Sequence, residues 1–229
     1  MKKVVVFSGA GMSAESGLKT FRDSDGLWEN YSIEDVATPQ AFANNPELVL
    51  RFYNERRQQI RSAKPNPGHL ALVQLEEKYN VEIITQNIDD LHERAGSKNV
   101  LHLHGEILKA RSSAPSESIY HLGNKDIQWG DVCEQGFQLR PHIVWFGEMV
   151  PMLEHAIMKV QMADILLIIG TSLQVYPAAS LIHYVPSNCK IFYIDPNPAS
   201  VTGIENINVI QEAASTGIQK CVSILNSES

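Results

Sequence analysis

Five short runs of β-branched and aliphatic residues, separated by longer amphipathic segments, constrain this chain more than any other feature. The runs cover residues 4–8, 81–85, 143–146, 165–169 and 191–194, each bounded by Gly, Pro, Asn or Asp. Between them the spacing predicts helices over residues 46–62, 67–79, 153–162, 178–184 and 213–225. Strands that alternate with helices imply an α/β fold with a Rossmann-like parallel sheet. The run Ile165-Leu166-Leu167-Ile168-Ile169 is apolar throughout, as a strand covered on both faces must be. Residues 18–62 and 108–140 break the alternation: the first is helical and looped, the second polar and loop-rich. Both are expected to be insertions forming a smaller module beside the main sheet, within one catalytic domain spanning residues 1–229.

A chain of 229 residues that is 44% hydrophobic can bury one sizeable core. Its formal net charge of −7 disfavours nucleic acid as a partner. The opening apolar run is too short for a signal-peptide core, and no stretch approaches the roughly 18 apolar residues of a membrane span. Cys133, Cys189 and Cys221 are odd in number and widely spaced, unlike a disulfide framework. No membrane association and a cytoplasmic location are therefore expected.

The first strand runs into Gly9-Ala10-Gly11-Met12-Ser13-Ala14-Glu15-Ser16-Gly17. Glycines there allow a tight turn and close approach to a pyrophosphate, with a helix N-terminus behind it. By itself the pattern also fits an ordinary glycine turn. A dehydrogenase would place an acidic strand end about 20 residues on, to hold the ribose. This chain has instead Thr20-Phe21-Arg22-Asp23 and Gly26-Leu27-Trp28, which reads as a cover over a bound nucleotide.

Further polar clusters stand at predicted strand ends, where α/β folds bind ligands. Gln86, Asn87, Ile88 and Asp89 follow the run at 81–85; helix capping explains one such residue but not the series. His102 and His104 lie two apart and hence on one strand face, and His104, with glycine beside it, is the better candidate for a base. Val144, Trp145, Phe146, Gly147 and Glu148 combine a strand, aromatics and a bend. Gly170, Thr171 and Ser172 end the most apolar strand, where capping accounts for the hydroxyls equally well.

Taken in order, GAGMSAESGLKTFR with GLW, TQNIDDLHERAG, LHLHGE, PHIVWFGE and GTSLQVYPA resemble the sirtuin family over residues 9 to about 180. The resemblance implies a Rossmann-like domain, a small module, and NAD as co-substrate in the cleft between them. It implies that Gly9, Ala10, Gly11, Glu15, Thr20, Phe21 and Arg22 hold the dinucleotide. Gln86, Asn87, Ile88 and Asp89 would line the nicotinamide and ribose site, with Asn87 and His104 as catalytic residues. Gly170, Thr171 and Ser172 would contact the adenosine side. The backbone of Val144, Trp145, Phe146, Gly147 and Glu148 would pair with a peptide carrying an acylated lysine. Products would be free lysine, nicotinamide and O-acyl-ADP-ribose. Mono-ADP-ribosyl transfer and a non-catalytic NAD-binding sensor are the alternatives.

One closer match and two departures refine the resemblance. Ala37, Tyr53 and Arg56 match class III sirtuins, which accept succinyl- or malonyl-lysine; Tyr53 and Arg56 fall on one helical face. The two Cys-x-x-Cys pairs that hold zinc in most sirtuins are missing: Ser112 stands near the first position, and the insert has only Cys133. No zinc is expected, with the module held by packing around Ile119, Tyr120, Leu122 and Trp129. Asp195 and Asn197 replace the usual asparagine and glutamate near the adenosine, and Ala214 would close the adenine end.

Overall fold

The computed structural model describes residues 1–19, 27–28, 31–115, 118–201, 203–204 and 207–227. In chain order the strands are β1 (Lys3–Ser8), β2 (Leu27–Trp28), β3 (Tyr31–Ser32), β4 (Asn80–Thr85), β5 (Val100–His102), β6 (Gly105–Ser112), β7 (Ile119–His121), β8 (Leu139–Ile143), β9 (Ile165–Ile169), β10 (Lys190–Ile194) and β11 (Ile207–Ile210). The helices are α1 (Gly11–Ala14), α2 (Ile33–Val36), α3 (Pro39–Asn44), α4 (Pro46–Ser62), α5 (Pro67–Leu75), α6 (Leu91–Ala95), α7 (Leu153–Val160) and α8 (Ala214–Ser227), with a 3-10 helix at Ala178–Tyr184.

A six-stranded parallel sheet, ordered β11-β10-β9-β1-β4-β5, forms the centre. Its alternating side chains enter two cores. Val4, Val6, Ile83, Leu167 and Ile169 face α5 and α8. Val5, Phe7, Ile84, Leu166 and Ile168 face α7 and the 3-10 helix. Burial on both faces is why these strands read as unbroken apolar runs. From β1 the chain winds outward to β4 and β5, then returns to β9 on the other side of β1. Such a reversal, between β1 and β9, marks the carboxyl-edge crevice where open α/β folds bind ligands.

The second sheet is antiparallel, ordered β7-β6-β8, and corrects two expectations. The strand predicted at 143–146 ends at Ile143, and belongs to this sheet rather than the parallel one. Beyond it the Val144 and Phe146 amides donate to the carbonyls of His104 and Ala37, at 2.9 and 3.0 Å, so the chain leaves the ladder. The insert predicted as loop carries β6, which hides in the sequence because a bulge between Glu106 and Ala110 breaks its alternation. Strand β11 was missed as well. Predicted helix 67–79 stops at Leu75 and continues as turns, and residues 178–184 wind as a 3-10 helix.

Packing around this sheet also differs from expectation. Ile119 and Trp129 are about half exposed. The core uses Leu50, Ala110 and Ile127, with Tyr120, Leu122 and Leu139 at its edge. Arg57, fully buried on α4, donates from Nε to the Ile107 carbonyl at 2.8 Å and pairs with Asp126 at 3.6 Å. Burial pulls its pKa down to about 10, with Asp126 opposing. Arg94 on α6 reaches the end of α4, donating to the carbonyls of Ile60 (2.9 Å) and Ala63 (2.8 Å), which have no helical partner of their own. Among the described residues, no helix is long and apolar enough to cross a membrane.

Arg57→Met keeps the volume but strips the Ile107 carbonyl of its charged donor. It should lower stability by about 2 kcal/mol in urea unfolding; a variant as stable as the parent would contradict this fastening role.

Candidate active site

Three glycines bring the crevice walls together. Gly9 donates to the Ile169 carbonyl at 2.9 Å and Gly11 to the Gly170 carbonyl at 2.8 Å. A Cβ on Gly9 would lie 2.7 Å from Thr171 Cβ, and one on Gly11 2.7 Å from Gly170 Cα. Gly170 itself has φ +58°. The glycine pattern is thus required by contact between two loops of the protein, a cause beyond the approach to phosphate inferred from sequence. Ala10 lies between the two glycines, before α1. Gln86 crosses the end of β1, donating from Nε2 to Thr171 Oγ1 at 3.1 Å, and thereby joins the loops after β4 and β9. Thr171 Oγ1 also accepts from Leu173 N at 3.2 Å. Ser172 is half-buried beside it.

A polar cluster lies beneath this bridge. Ser13 Oγ donates to Asp89 Oδ2 at 3.0 Å and accepts from Asn87 Nδ2 at 3.2 Å. Burial raises the Asp89 carboxyl, opposed by the Leu91 amide and the Ser13 hydroxyl. The Asn87 amide donates to Thr85 Oγ1 at 3.0 Å, which accepts from Ser8 Oγ at 2.9 Å. Ile88 lends its carbonyl to Ile107 N at 2.9 Å, tying the loop to β6. Ser13, Ser8 and Thr85 were not singled out from the sequence. Ser13 lay in the glycine-rich motif, but its role depends on residues more than seventy positions away.

His104 follows β5, its Nδ1 3.1 Å from the Gln86 carbonyl. A carbonyl only accepts, so Nδ1 carries the proton and Nε2 keeps its lone pair. Burial lowers the pKa of the ring, with the Gln86 bond opposing, so the imidazole is neutral at pH 7. The His104 carbonyl in turn accepts from Val144 N, joining this histidine to the segment 144–148. That segment is held from within. Trp145 N donates to Glu148 Oε2 at 2.8 Å, and Glu148 N to the Trp145 carbonyl at 3.0 Å. Glu148 also binds Arg140 (2.7 Å) and Arg111 (3.1 Å); burial alone would raise its carboxyl, but these partners hold it below the usual range. Four amides expected to be open to a peptide are therefore committed, and Glu148 is a brace. Phe146 is exposed and Gly147, with φ +87°, makes the bend.

Ala37, Tyr53 and Trp145 pack in one cluster next to this segment. Trp145 Nε1 donates to the Tyr53 hydroxyl at 3.0 Å, and burial drives the phenol pKa upward. Arg56, only 6% exposed, holds its guanidinium 6.0 Å from the Phe52 ring centre. Glu15 stands further off. Its carboxylate accepts from Ser215 N and Oγ, at 2.8 and 2.5 Å, securing the start of α8 beside Ala214. Asp195, at the end of β10, accepts from Asn197 N at 2.8 Å. Thr20, Phe21 and Arg22 lie outside the described residues. Ser112 and Cys133 do meet, Cys133 Sγ donating to Ser112 Oγ at 3.6 Å. His121 is exposed, and among the described residues no three His, Cys, Asp or Glu side chains gather as a metal site.

The fold is that of an open α/β protein with a polar cluster and a buried neutral histidine at the carboxyl edge of its parallel sheet. Residues 9–177 match the Sir2 family, and the chain belongs to it. An NAD-dependent protein deacylase of Bacteroides thetaiotaomicron is 49% identical over 230 residues, covering 98% of each chain. One from Helicobacter pylori is 52% identical over 219 residues, covering 96% of this chain and 95% of its own. A Sir2 homologue crystallised with NAD is 40% identical with a TM-score of 0.88, over 99% of this chain and 90% of that one. A Sir2 protein bound to a propionylated peptide is 30% identical with a TM-score of 0.79, over 98% and 93%.

A buried histidine pair lies behind the site. His92 Nε2 is 3.1 Å from Ser8 Oγ, and the His69 and His92 rings meet edge to face at 4.9 Å. His69 Nδ1 accepts from Asn66 N at 3.2 Å, while Asn66 Nδ2 holds the Met12 carbonyl at 2.8 Å. Burial pushes His69 down to about 4 and His92 well below the ordinary range. The unfolded chain therefore binds more protons as pH falls from about 6.5 towards 4, and stability must fall with it. His69 alone should remove roughly 3 kcal/mol across that window. His69→Asn, which keeps an acceptor for Asn66 N, should flatten the slope in urea unfolding; an unchanged slope would assign the acid sensitivity elsewhere.

Proposed function

We propose that this chain is an NAD-dependent protein-lysine deacylase that removes acetyl and acidic acyl groups such as succinyl and malonyl. The observation that carries the reading is the link between His104 and the acyl pocket. One hydrogen bond, Val144 N to the His104 carbonyl, joins the base to the segment whose Trp145 grips Tyr53.

The polar lining of the crevice supports a dinucleotide as its occupant. It offers amide, hydroxyl and carboxylate groups at the switch point of a parallel sheet, with a neutral base above them. Gly9, Ala10, Gly11, Thr171 and Ser172 would hold the phosphates and adenosine side, with Asp195, Asn197 and Ala214 towards the adenine. The same role is proposed for Thr20, Phe21 and Arg22. Glu15 would act through α8. NAD would supply an electrophilic ribose carbon and nicotinamide as leaving group, and the products would be free lysine, nicotinamide and O-acyl-ADP-ribose. Asn87 and Asp89, fixed by Ser13, would orient the ribose so that the acyl oxygen meets that carbon in line. His104 Nε2 would take the proton from the ribose hydroxyl. Binding alone needs no such base, which favours an enzyme over an NAD sensor.

The substrate lysine would enter beside Val144, Trp145, Phe146, Gly147 and Glu148. With four amides turned inward, that segment would meet an extended peptide mainly through its carbonyl groups. The small Ala37 leaves space, and Tyr53 and Arg56 supply a phenol and a guanidinium for a terminal carboxylate. The zinc of related proteins does not fit the module. Ser112 and Cys133 occupy each other, and one thiol cannot build a closed four-ligand site.

Arg56→Met should cut kcat/KM for a succinyl-lysine peptide by at least about tenfold and leave deacetylation nearly unchanged. Equal loss of both activities would remove the carboxylate assignment. His104→Ala should abolish NAD-dependent release of free lysine from either peptide while calorimetry still detects NAD binding; full turnover in that variant would point to a different base. Metal analysis of the purified chain should find no tightly held zinc, and one zinc per chain would overturn the assignment of the module.

A further inference from the structure

His102 lies two residues before the base and takes no part in the chemistry above. Its Nδ1 is 3.0 Å from the Asn87 carbonyl and its Nε2 is 2.7 Å from Glu93 Oε1. A carbonyl and a carboxylate both accept hydrogen bonds only, so each ring nitrogen must donate. Only the imidazolium does that. The His102 side chain is 7% exposed, so water cannot readily replace a lost partner. His104 contrasts with it. One acceptor, the Gln86 carbonyl, makes a neutral ring sufficient there. Two histidines on one face thus hold adjacent carbonyls of the same loop in opposite charge states.

We propose that His102 is a positioning residue, an imidazolium clamp that fastens the Asn87 carbonyl to Glu93 and holds residues 86–89 in the shape that receives nicotinamide. The proposal rests on the deacylase reading for its purpose, but not for its geometry. Burial alone would lower the pKa of this ring; Glu93 outweighs it and leaves the ring above the ordinary histidine range. The titratable groups facing His102 are Glu93 and the neutral His92 on α6, Asp89 in the loop, and Glu106 on β6 with its partner Lys109. Loss of the proton leaves one N–H for two acceptors. The carboxylate retains it as the stronger acceptor, and the Asn87 carbonyl then faces a lone pair. The loop loosens as pH rises through the His102 midpoint. His69, His92 and His104 are all shifted downward and have lost their protons before that window opens.

Glu93→Gln keeps an oxygen acceptor but removes the charge that retains the proton. In NMR titrations of the intact chain, the His102 ring should ionise above the ordinary range. The amide signals of Asn87, Ile88 and Asp89 should follow the same midpoint, and both should move at least about one pH unit lower in Glu93→Gln. By calorimetry, NAD affinity of the variant should match the parent at a pH below both measured His102 midpoints and be roughly fivefold weaker at a pH between them. His102→Gln, whose donors sit on one nitrogen while its oxygen only accepts, should be weakened at both pH values, and adding Glu93→Gln to it should change nothing more. A His102 ring that ionises at or below the ordinary value, loop amides that do not follow it, or superimposable NAD affinities for parent and variant would each overturn the clamp. A chain that binds no NAD at any pH would refute the deacylase reading instead, while the ring and loop titrations still decide the charge state of His102.

Discussion

The contact between the loop after β1 and the loop after β9 underlies everything else in this molecule. Gly9 and Gly11 lie against Gly170 so closely that a single methyl group on any of the three would collide with backbone or Cβ atoms. Two hydrogen bonds close that contact, and Gln86 extends it to the loop after β4. The crevice floor is therefore fixed before any ligand arrives. The side chains beside it, Ser13, Asn87 and Asp89, are bonded to one another. Placement of this kind converts binding energy into orientation rather than into ordering the protein.

Much of this was legible in the sequence, for reasons that can be named. Strands β1, β4, β9 and β10 are covered on both faces, so their composition alone announces them. Helix α4 begins with Asn45 as a side-chain cap followed by proline, and its predicted bounds coincide with those observed. His104 and Asn87 sat at strand ends, where parallel sheets place their chemistry. What stayed hidden depended on contacts between distant residues. Strand β6 was masked by its bulge. The Ser13 bridge needs residue 89, and the Glu15 carboxylate turned out to serve the start of α8. The amides of 144–148 looked open because nothing local shows that His104, Ala37 and Glu148 claim them.

The polar groups around the site have been sorted by burial and by the kind of partner each was given. His69 and His92 are shut away neutral, and His104 is held neutral by one acceptor. Asp89 is kept from solvent yet bonded to a hydroxyl and an amide. Only two residues from His104, His102 between a carbonyl and a carboxylate is shifted the opposite way, so neighbouring imidazoles acquire opposite proton affinities from their partners.

Arg94 gives this arrangement a mechanical consequence. It grips the last carbonyls of α4 from α6. Helix α4 carries Tyr53 and Arg56, while α6 carries Glu93, the partner of His102. The helix proposed to read the acyl tail and the helix proposed to steady the nicotinamide loop are consequently bolted to one another. A displacement of either helix is therefore transmitted to the other through the Arg94 hydrogen bonds.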